Sequence, residues 1–310
     1  MIHGFLVIDK PSGMTSHDVV ALVRRLAKEK RVGHAGTLDP AATGVLVVAL
    51  GMATRLIEYV QEETSKRYRA VVRLGATTTT EDAEGEILTT ALVPQLDEAG
   101  IRDVINRFIG DIEQVPPMYS ALHHQGRRLH ELARAGEVVE LAPRPVRVER
   151  IDLLDWHSPL LELDIVCGKG TYIRSLARDI GAAIGCGAHL AALRRTAVGS
   201  FTINTAISLE QLASACGQPN GTEGSLADIV LAPEIAVADW PIVTLDERAA
   251  RLVRNGMPIE AGIVVGERVR AHLTDGTLLA LLVHHEGSWK PDKVFDWISH
   301  GTGTRSTATN

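Results

Sequence analysis

The sequence predicts an α+β protein in two parts: a large domain over residues 1–237 and a small β domain over 238–300, followed by a flexible tail over 301–310. Three observations carry this division. Strand-like and helix-like apolar patterns interleave through residues 1–200, a break rich in glycine, proline and asparagine occupies 217–224, and beyond Pro241 two β-rich runs flank Asp275-Gly276. An Asp-Gly pair between apolar runs is a hairpin signal, because both residues tolerate the turn that matches strand twist.

Phe5-Leu6-Val7-Ile8 reads as a strand, ended by the turn Lys10-Pro11-Ser12-Gly13. Thr15 and Asp18 stand at capping-box spacing before a helix over 17–30, whose apolar face is Val19, Leu22, Val23 and Leu26. Gly33 ends that helix, a loop around Asp39 follows, and residues 45–50 form an apolar strand. Gly51 precedes a helix over 52–60; residues 68–74 read as a strand that leads into a polar loop closing at Gly85, and a helix over 95–108 precedes Pro116-Pro117. Residues 123–150 hold six arginines, four glutamates and three histidines (His123, His124, His130) but few large apolar side chains. Such a segment supplies little core and is expected to project as an insertion. A strand over 160–167, the turn Gly168-Lys169-Gly170 and a helix over 172–184 come next. In the small domain, Thr244 and Glu247 are spaced to cap a short helix ended by Gly256.

Composition sets limits on function. The chain has 310 residues, 45% hydrophobic and 23% charged, the profile of an ordinary globular protein. Four apolar residues before Asp9-Lys10 are too few for a secretory signal, and apolar runs such as 45–50 are too short for a membrane span, so a cytoplasmic protein is expected. Cys167, Cys186 and Cys216 are odd in number and widely spaced, which suits reduced buried thiols better than a disulfide framework or a zinc site. The net charge of −6 is uneven: residues 1–200 hold 24 Lys+Arg against 25 Asp+Glu, and 201–310 hold 8 against 13. Within the first part the cations cluster at 24–31, 66–73, 127–128 and 194–195, and local patches decide where a polyanion docks.

The run Gly33-His34-Ala35-Gly36-Thr37-Leu38-Asp39-Pro40-Ala41-Ala42-Thr43-Gly44 places one carboxylate in a loop whose glycines permit close approach of another molecule. Two familiar alternatives fail. A phosphate-binding P-loop at Gly168-Lys169 would need glycine at 163 and a hydroxyl residue at 170, where the chain has Leu163 and Gly170. Zinc chemistry would need spaced ligands, whereas His123-His124 and His284-His285 are adjacent pairs. Tyr68 and Tyr172 remain, each beside cations (Lys66-Arg67-Tyr68-Arg69 and Thr171-Tyr172-Ile173-Arg174), a combination suited to stacking a base beside its phosphates.

The chain resembles the bacterial tRNA pseudouridine 55 synthases. The matching motifs are Asp9-Lys10-Pro11-Ser12-Gly13-Met14-Thr15-Ser16, 33–40, Lys66-Arg67-Tyr68, 75–85, Val115-Pro116-Pro117-Met118-Tyr119-Ser120-Ala121-Leu122, Lys169-Gly170-Thr171-Tyr172-Ile173-Arg174-Ser175-Leu176, Cys186-Gly187-Ala188-His189 and Leu193-Arg194-Arg195. The resemblance implies a pseudouridine-synthase catalytic domain with a mixed, largely antiparallel central sheet, and a small C-terminal PUA-like β domain. It implies that Asp39 is the nucleophilic carboxylate, that Arg174 pairs with it and that Tyr68 stacks on the extruded uracil. Tyr172 and Leu193 would line the pocket, His34 would hold the vacated loop, and 123–150 would close over the T arm of tRNA. Lys66, Arg67, Arg127, Arg128, Arg194 and Arg195 are the candidates for further RNA contacts. His123 and His130 depart from the family's usual residues.

Uridine-to-pseudouridine conversion is an isomerisation, so no cofactor and no metal are expected. Arg174 is expected to lower the pKa of Asp39 and keep it ionised. That carboxylate can attack the sugar, attack the ring or assist formation of a glycal. The expected partner is the tRNA T arm, without membrane or guide RNA, and the default assembly is a monomer. A tRNA-binding or tRNA-folding protein with secondary catalysis is the alternative. A guide-RNA-dependent relative is disfavoured by the 123–150 segment.

Overall fold

The computed structural model describes residues 2–62, 64–120, 122–124, 126–137, 139–219, 222–262, 266–295 and 297; for His123, His124, Arg128, His130 and Arg134 it describes the backbone alone. The expectations for the side chains of Arg128, His123 and His130 and for the tail over 301–310 lie outside the described residues.

Seven strands follow one another across the main sheet: β1 (Gly4–Lys10), β2 (Thr43–Leu50), β3 (Lys66–Leu74), β4 (Gly110–Gln114), β5 (Arg144–His157), β6 (Leu160–Cys167) and β7 (Ala188–Val198). Their spatial order is β1-β2-β7-β3-β6-β5-β4, with the short strands Val32–His34 and Phe201–Thr202 attached beside it. Neighbours run antiparallel except β2 and β7, which are parallel where Arg194 meets Thr43 and Arg195 meets Gly44. The sheet is therefore mixed and largely antiparallel. A second sheet, built from Ile242–Thr244, Ile259–Glu260, Arg268–His272, Leu278–His285 and Ser288–Val294, forms the small domain.

Strand alternation sorts the main sheet into faces. Tyr68, Ala70, Val72 and Leu74 of β3 join Leu161, Leu163 and Ile165 of β6 beneath two helices, α2 (Glu98–Ile105) and α3 (Ile173–Ile184). At the other end of the sheet, Leu6, Ile8, Leu46 and Val48 pack on α1 (Ser16–Leu26) and on the helix Leu209–Gly217. The reverse side of β1 and β2 (Phe5, Val7, Val45, Val47) packs with Tyr59, Val60, Leu278, Leu281 and Phe295, which buries the joint between the two domains. Across that joint the Tyr59 hydroxyl donates to Asp292 Oδ2 at 2.5 Å and Lys293 pairs with Glu58. No helix among the described residues is long and apolar enough to cross a membrane.

Several elements differ from expectation. The capping box forms as read, with the Asp18 N–H donating to Thr15 Oγ1 at 3.1 Å and the Thr15 N–H donating to Asp18 Oδ2 at 2.9 Å. The helix it starts stops at Leu26, because Lys28 turns into the left-handed region at φ 51°. The expected helix over 52–60 splits into a 3₁₀ turn, Gly51–Leu56, and an α-helix, Ile57–Glu62. The insertion is shorter than 123–150. Its hairpin (His123–His124 with Arg127–Arg128) and helix (Leu129–Arg134) give way to β5 at Arg144, where Val146 and Val148 turn into the core. Strand β7, central to the sheet, has no counterpart in the sequence reading. In the small domain the helix Glu247–Arg254 is capped by Asp246, whose carboxylate accepts from the Ala249 N–H at 2.7 Å, since Thr244 is part of a strand.

The reverse face of β3 is open to water and charged, as antiparallel sheets permit. There Arg67 grips Asp164 through Nε (2.9 Å) and Nη2 (2.6 Å), and Arg150 Nη2 approaches the same carboxylate at 3.2 Å. These hydrogen bonds hold the Asp164 carboxyl below its ordinary pKa. A depressed folded-state pKa gives stability that is present above the unfolded value and lost as pH falls through the folded one. Asp164→Asn is expected to lower unfolding free energy by about 1–2 kcal/mol at pH 7. In denaturant titrations the gap to wild type should close at pH values below the ordinary carboxylate range.

Candidate active site

The Asp39 loop connects strand Val32–His34 to β2, and protein groups bind its backbone along most of its length. Lys10, fully buried at the end of β1, donates from Nζ to the carbonyls of Pro11 (2.8 Å), Met14 (2.7 Å) and Pro40 (3.1 Å). Arg195, 1% exposed on β7, donates to the carbonyls of Val45 (2.7 Å), Gly36 (3.0 Å) and Thr37 (3.4 Å). The buried Ser16 hydroxyl accepts from the Leu38 N–H at 2.9 Å and donates to the Leu38 carbonyl at 3.1 Å. The Gly13 N–H donates to Pro40 O at 2.9 Å, and the Ala42 N–H to Asp39 O at 3.1 Å. Close packing at the loop's exit requires Gly44: it has φ 98°, and a Cβ there would lie 2.2 Å from the Arg195 carbonyl oxygen.

The Asp39 side chain is left free to meet a ligand, with 43% of its surface open. Arg174, 7% exposed in the first turn of α3, places Nε 3.1 Å from Asp39 Oδ2. The rest of that guanidinium is committed: Nη1 donates to Thr80 O (3.1 Å) and lies 3.6 Å from Asp82 Oδ2, and Nη2 donates to Tyr119 O (2.8 Å). The expectation of a depressed Asp39 pKa is corrected. Burial pushes the carboxylate's pKa above the ordinary value, more than Arg174 pulls it down. Asp82 adds to the rise and Lys10 opposes it.

Around this pair the strand pleat decides which predicted residues meet. Tyr68, 7% exposed, lies in the floor with Leu38 and Ala42, and Leu193 packs against the same cluster. Tyr172 precedes α3, its N–H donating to Gln114 Oε1 (2.8 Å) and its carbonyl accepting from Gln114 Nε2 (3.2 Å). His34 lies edge-on to His17 with ring centroids 5.4 Å apart, and burial lowers its pKa below the ordinary imidazole value. Lys66 shares the Tyr68 face, its chain passing beside Gly36, and burial lowers its pKa too.

Other candidates do not join the site. Arg67 and Arg194 alternate to the opposite face, where they pair with Asp164 and with Asp9 (2.8 Å). Arg195 belongs to the interior, as a clamp on the loop and not as a surface cation. Arg127 sits on the exposed hairpin in an ion pair with Glu137 at 2.9 Å. The sequence reading gave no role to Lys10, Ser16, Asp82 or Gln114. Lys10 had a signal: it falls on the same strand face as Leu6 and Ile8, where a solvated lysine has no place.

Residues 24–173 match the model of the TruB family pseudouridylate synthase N-terminal domain, 174–238 that of the tRNA pseudouridylate synthase B C-terminal domain, and 240–296 that of the tRNA pseudouridine synthase II C-terminal domain. The chain belongs to the TruB pseudouridylate synthase family. It is 43% identical over 296 residues to tRNA pseudouridine synthase B of Dehalococcoides mccartyi, covering 95% of this chain and 97% of that one. To the Thermobifida fusca protein of the same name it is 45% identical over 305 residues, with 95% and 99% covered. Among solved structures, a Cbf5-Nop10-Gar1 complex is similar with a TM-score of 0.73 and 29% identity, covering 94% of this chain and 84% of the matched chain. A structure of an H/ACA RNP bound to a substrate RNA containing 2′-deoxyuridine follows with 0.72 and 28%, covering 94% and 85%. The expected pseudouridine-synthase fold with its PUA-like β domain is thus the TruB fold.

For any reaction that needs the Asp39 anion, the raised pKa sets the acid limb of kcat/KM at higher pH than an ordinary carboxylate would give. Asp82→Asn removes a neighbouring negative charge, and the limb is expected to move toward lower pH. Arg195→Met leaves the carbonyls of Gly36, Thr37 and Val45 without their donor and is expected to lower unfolding free energy by about 2–4 kcal/mol, measured by denaturant titration.

Proposed function

We propose that this chain isomerises uridine to pseudouridine at position 55, in the T loop of tRNA, with Asp39 as the nucleophile. The supporting observation is the Asp39–Arg174 pair at 3.1 Å: one carboxylate projects from a loop fixed by buried cations, with Tyr68 and Tyr172 nearby. The tRNA substrate is read from relatives named tRNA pseudouridine synthase B.

The reaction breaks the bond between uracil N1 and ribose C1′, turns the ring and joins C5 to C1′; the C5 proton is lost to solvent and N1 takes one up. Nothing is oxidised and no group is added. Asp39 supplies the anion that attacks the ribose, attacks the ring or helps form a glycal, and Arg174 holds it in place. To reach the bond the nucleotide leaves its stack, which costs a few kcal/mol. Stacking on an aromatic ring at Tyr68, worth about 1–3 kcal/mol, offsets that cost. The arginine-rich hairpin and helix before β5 suit the phosphates of a T arm, and the enzyme acts without a guide RNA.

Tritium release from C5-labelled uridine in a T-arm minihelix tests this reading. Asp39→Asn is expected to reduce release by about 10³-fold or more while still binding the RNA. Substantial release by that variant removes Asp39 from the nucleophile's role. Release by neither wild type nor variant, with tight binding retained, supports the tRNA-binding alternative.

A further inference from the structure

Arg174 has a second arginine one turn along its helix. Arg178 Nη1 meets Glu81 Oε1 at 2.5 Å, its Nε meets Asp179 Oδ1 at 2.8 Å, and its Nη2 donates to the Val115 carbonyl at 3.0 Å. The other Glu81 oxygen accepts from the Ser175 hydroxyl at 3.1 Å. Glu81 immediately precedes Asp82 and has φ 63°, a left-handed conformation that costs a side-chain-bearing residue energy. Its backbone is fixed on both sides, the N–H donating to Thr78 O (3.3 Å) and the carbonyl accepting from the Leu190 N–H (2.9 Å).

We infer that Glu81 and Arg178 are a positioning pair, which holds Asp82 in register with Arg174 and Asp39 and ties it to the segment over 115–120. The inference rests on the proposed function and adds residues to its site. The φ of Glu81 sets the direction in which Asp82 leaves the loop, and the Glu81 side chain is held to α3 by Ser175 and Arg178. Without the ion pair the backbone relaxes toward negative φ, and Asp82 turns away from Arg174. Both arginines also reach carbonyls of one neighbouring segment, Val115 and Tyr119. That segment leads into the arginine-rich insertion, so a pull on the insertion by bound RNA acts on both guanidinium groups. The charged groups that act on Asp39 are Arg174 from α3, Asp82 from the polar loop and Lys10 from β1. Of these, the pair governs Asp82, while Arg174 keeps its own bonds to the Thr80 and Tyr119 carbonyls.

The test is single-turnover tritium release from the T-arm minihelix across the pH range, with RNA affinity and thermal melting measured alongside. Glu81→Gln is expected to slow the maximal rate by about 10- to 100-fold with RNA affinity little changed, and to move the acid limb toward lower pH as Asp82 leaves Asp39. Arg178→Met should fall as far, and Arg178→Lys, which keeps the charge but loses the fork, less far. A wild-type rate in Glu81→Gln overturns the inference, as does a rate loss that follows the melting temperature with an unmoved acid limb. If Glu81→Gln folds poorly, Arg178→Lys carries the test, and its having the wild-type rate and limb overturns the pair. Absence of release from the wild type overturns the proposed function itself, and this inference with it.

Discussion

The carbonyl oxygens of the Asp39 loop need donors, and two buried cations supply them. Lys10 and Arg195 are almost wholly removed from water, and the oxygens they meet are backbone dipoles rather than carboxylates. Burying a charge is costly unless it is fully hydrogen-bonded, so each cation holds the loop as firmly as the loop holds it. The geometry of Asp39 follows from this mutual requirement, since its main chain is fixed before its side chain meets anything. It also leaves positive charge beneath a loop that presents a carboxylate above.

The sheet supplies the second constraint. At its single parallel junction, β2 passes β7 closely enough to bring the Arg195 guanidinium under the loop, and only a glycine at position 44 permits that approach. On β3 and β7 the pleat then divides neighbours in sequence between opposite sides. Tyr68 goes to the core beside the Asp39 loop and Arg67 to an open, water-facing surface; Leu193 packs on that core and Arg194 turns to Asp9. Adjacent basic letters are thus a poor guide to a basic patch when they lie on a strand.

Much of this was legible beforehand. The loop and its carboxylate stood out in the sequence, the family resemblance implied the Arg174 partner, and the apolar runs marked β1, β2, β3 and β6. What was missed has physical causes. Strand β7 reads Ala-His-Leu-Ala-Ala-Leu-Arg-Arg-Thr-Ala-Val, a composition that favours helix, and it becomes a strand because two neighbours cover it. The extent of β5 was hidden because its arginines resembled those of the insertion. The balance at Asp39 depends on how much water the surrounding protein excludes and on Asp82, forty-three residues further along the chain, and no local pattern encodes either.

The clamp on the loop has a consequence for biogenesis. Arg195 and the carbonyls it holds are separated by 150 to 159 positions along the chain. A ribosome delivers the loop long before it delivers its donor, and such distant contacts are slow to form. The nascent chain therefore carries an unorganised Asp39 loop until the strand bearing Arg195 has emerged and docked. The loop takes its fixed form late in synthesis, when most of the main domain is already made.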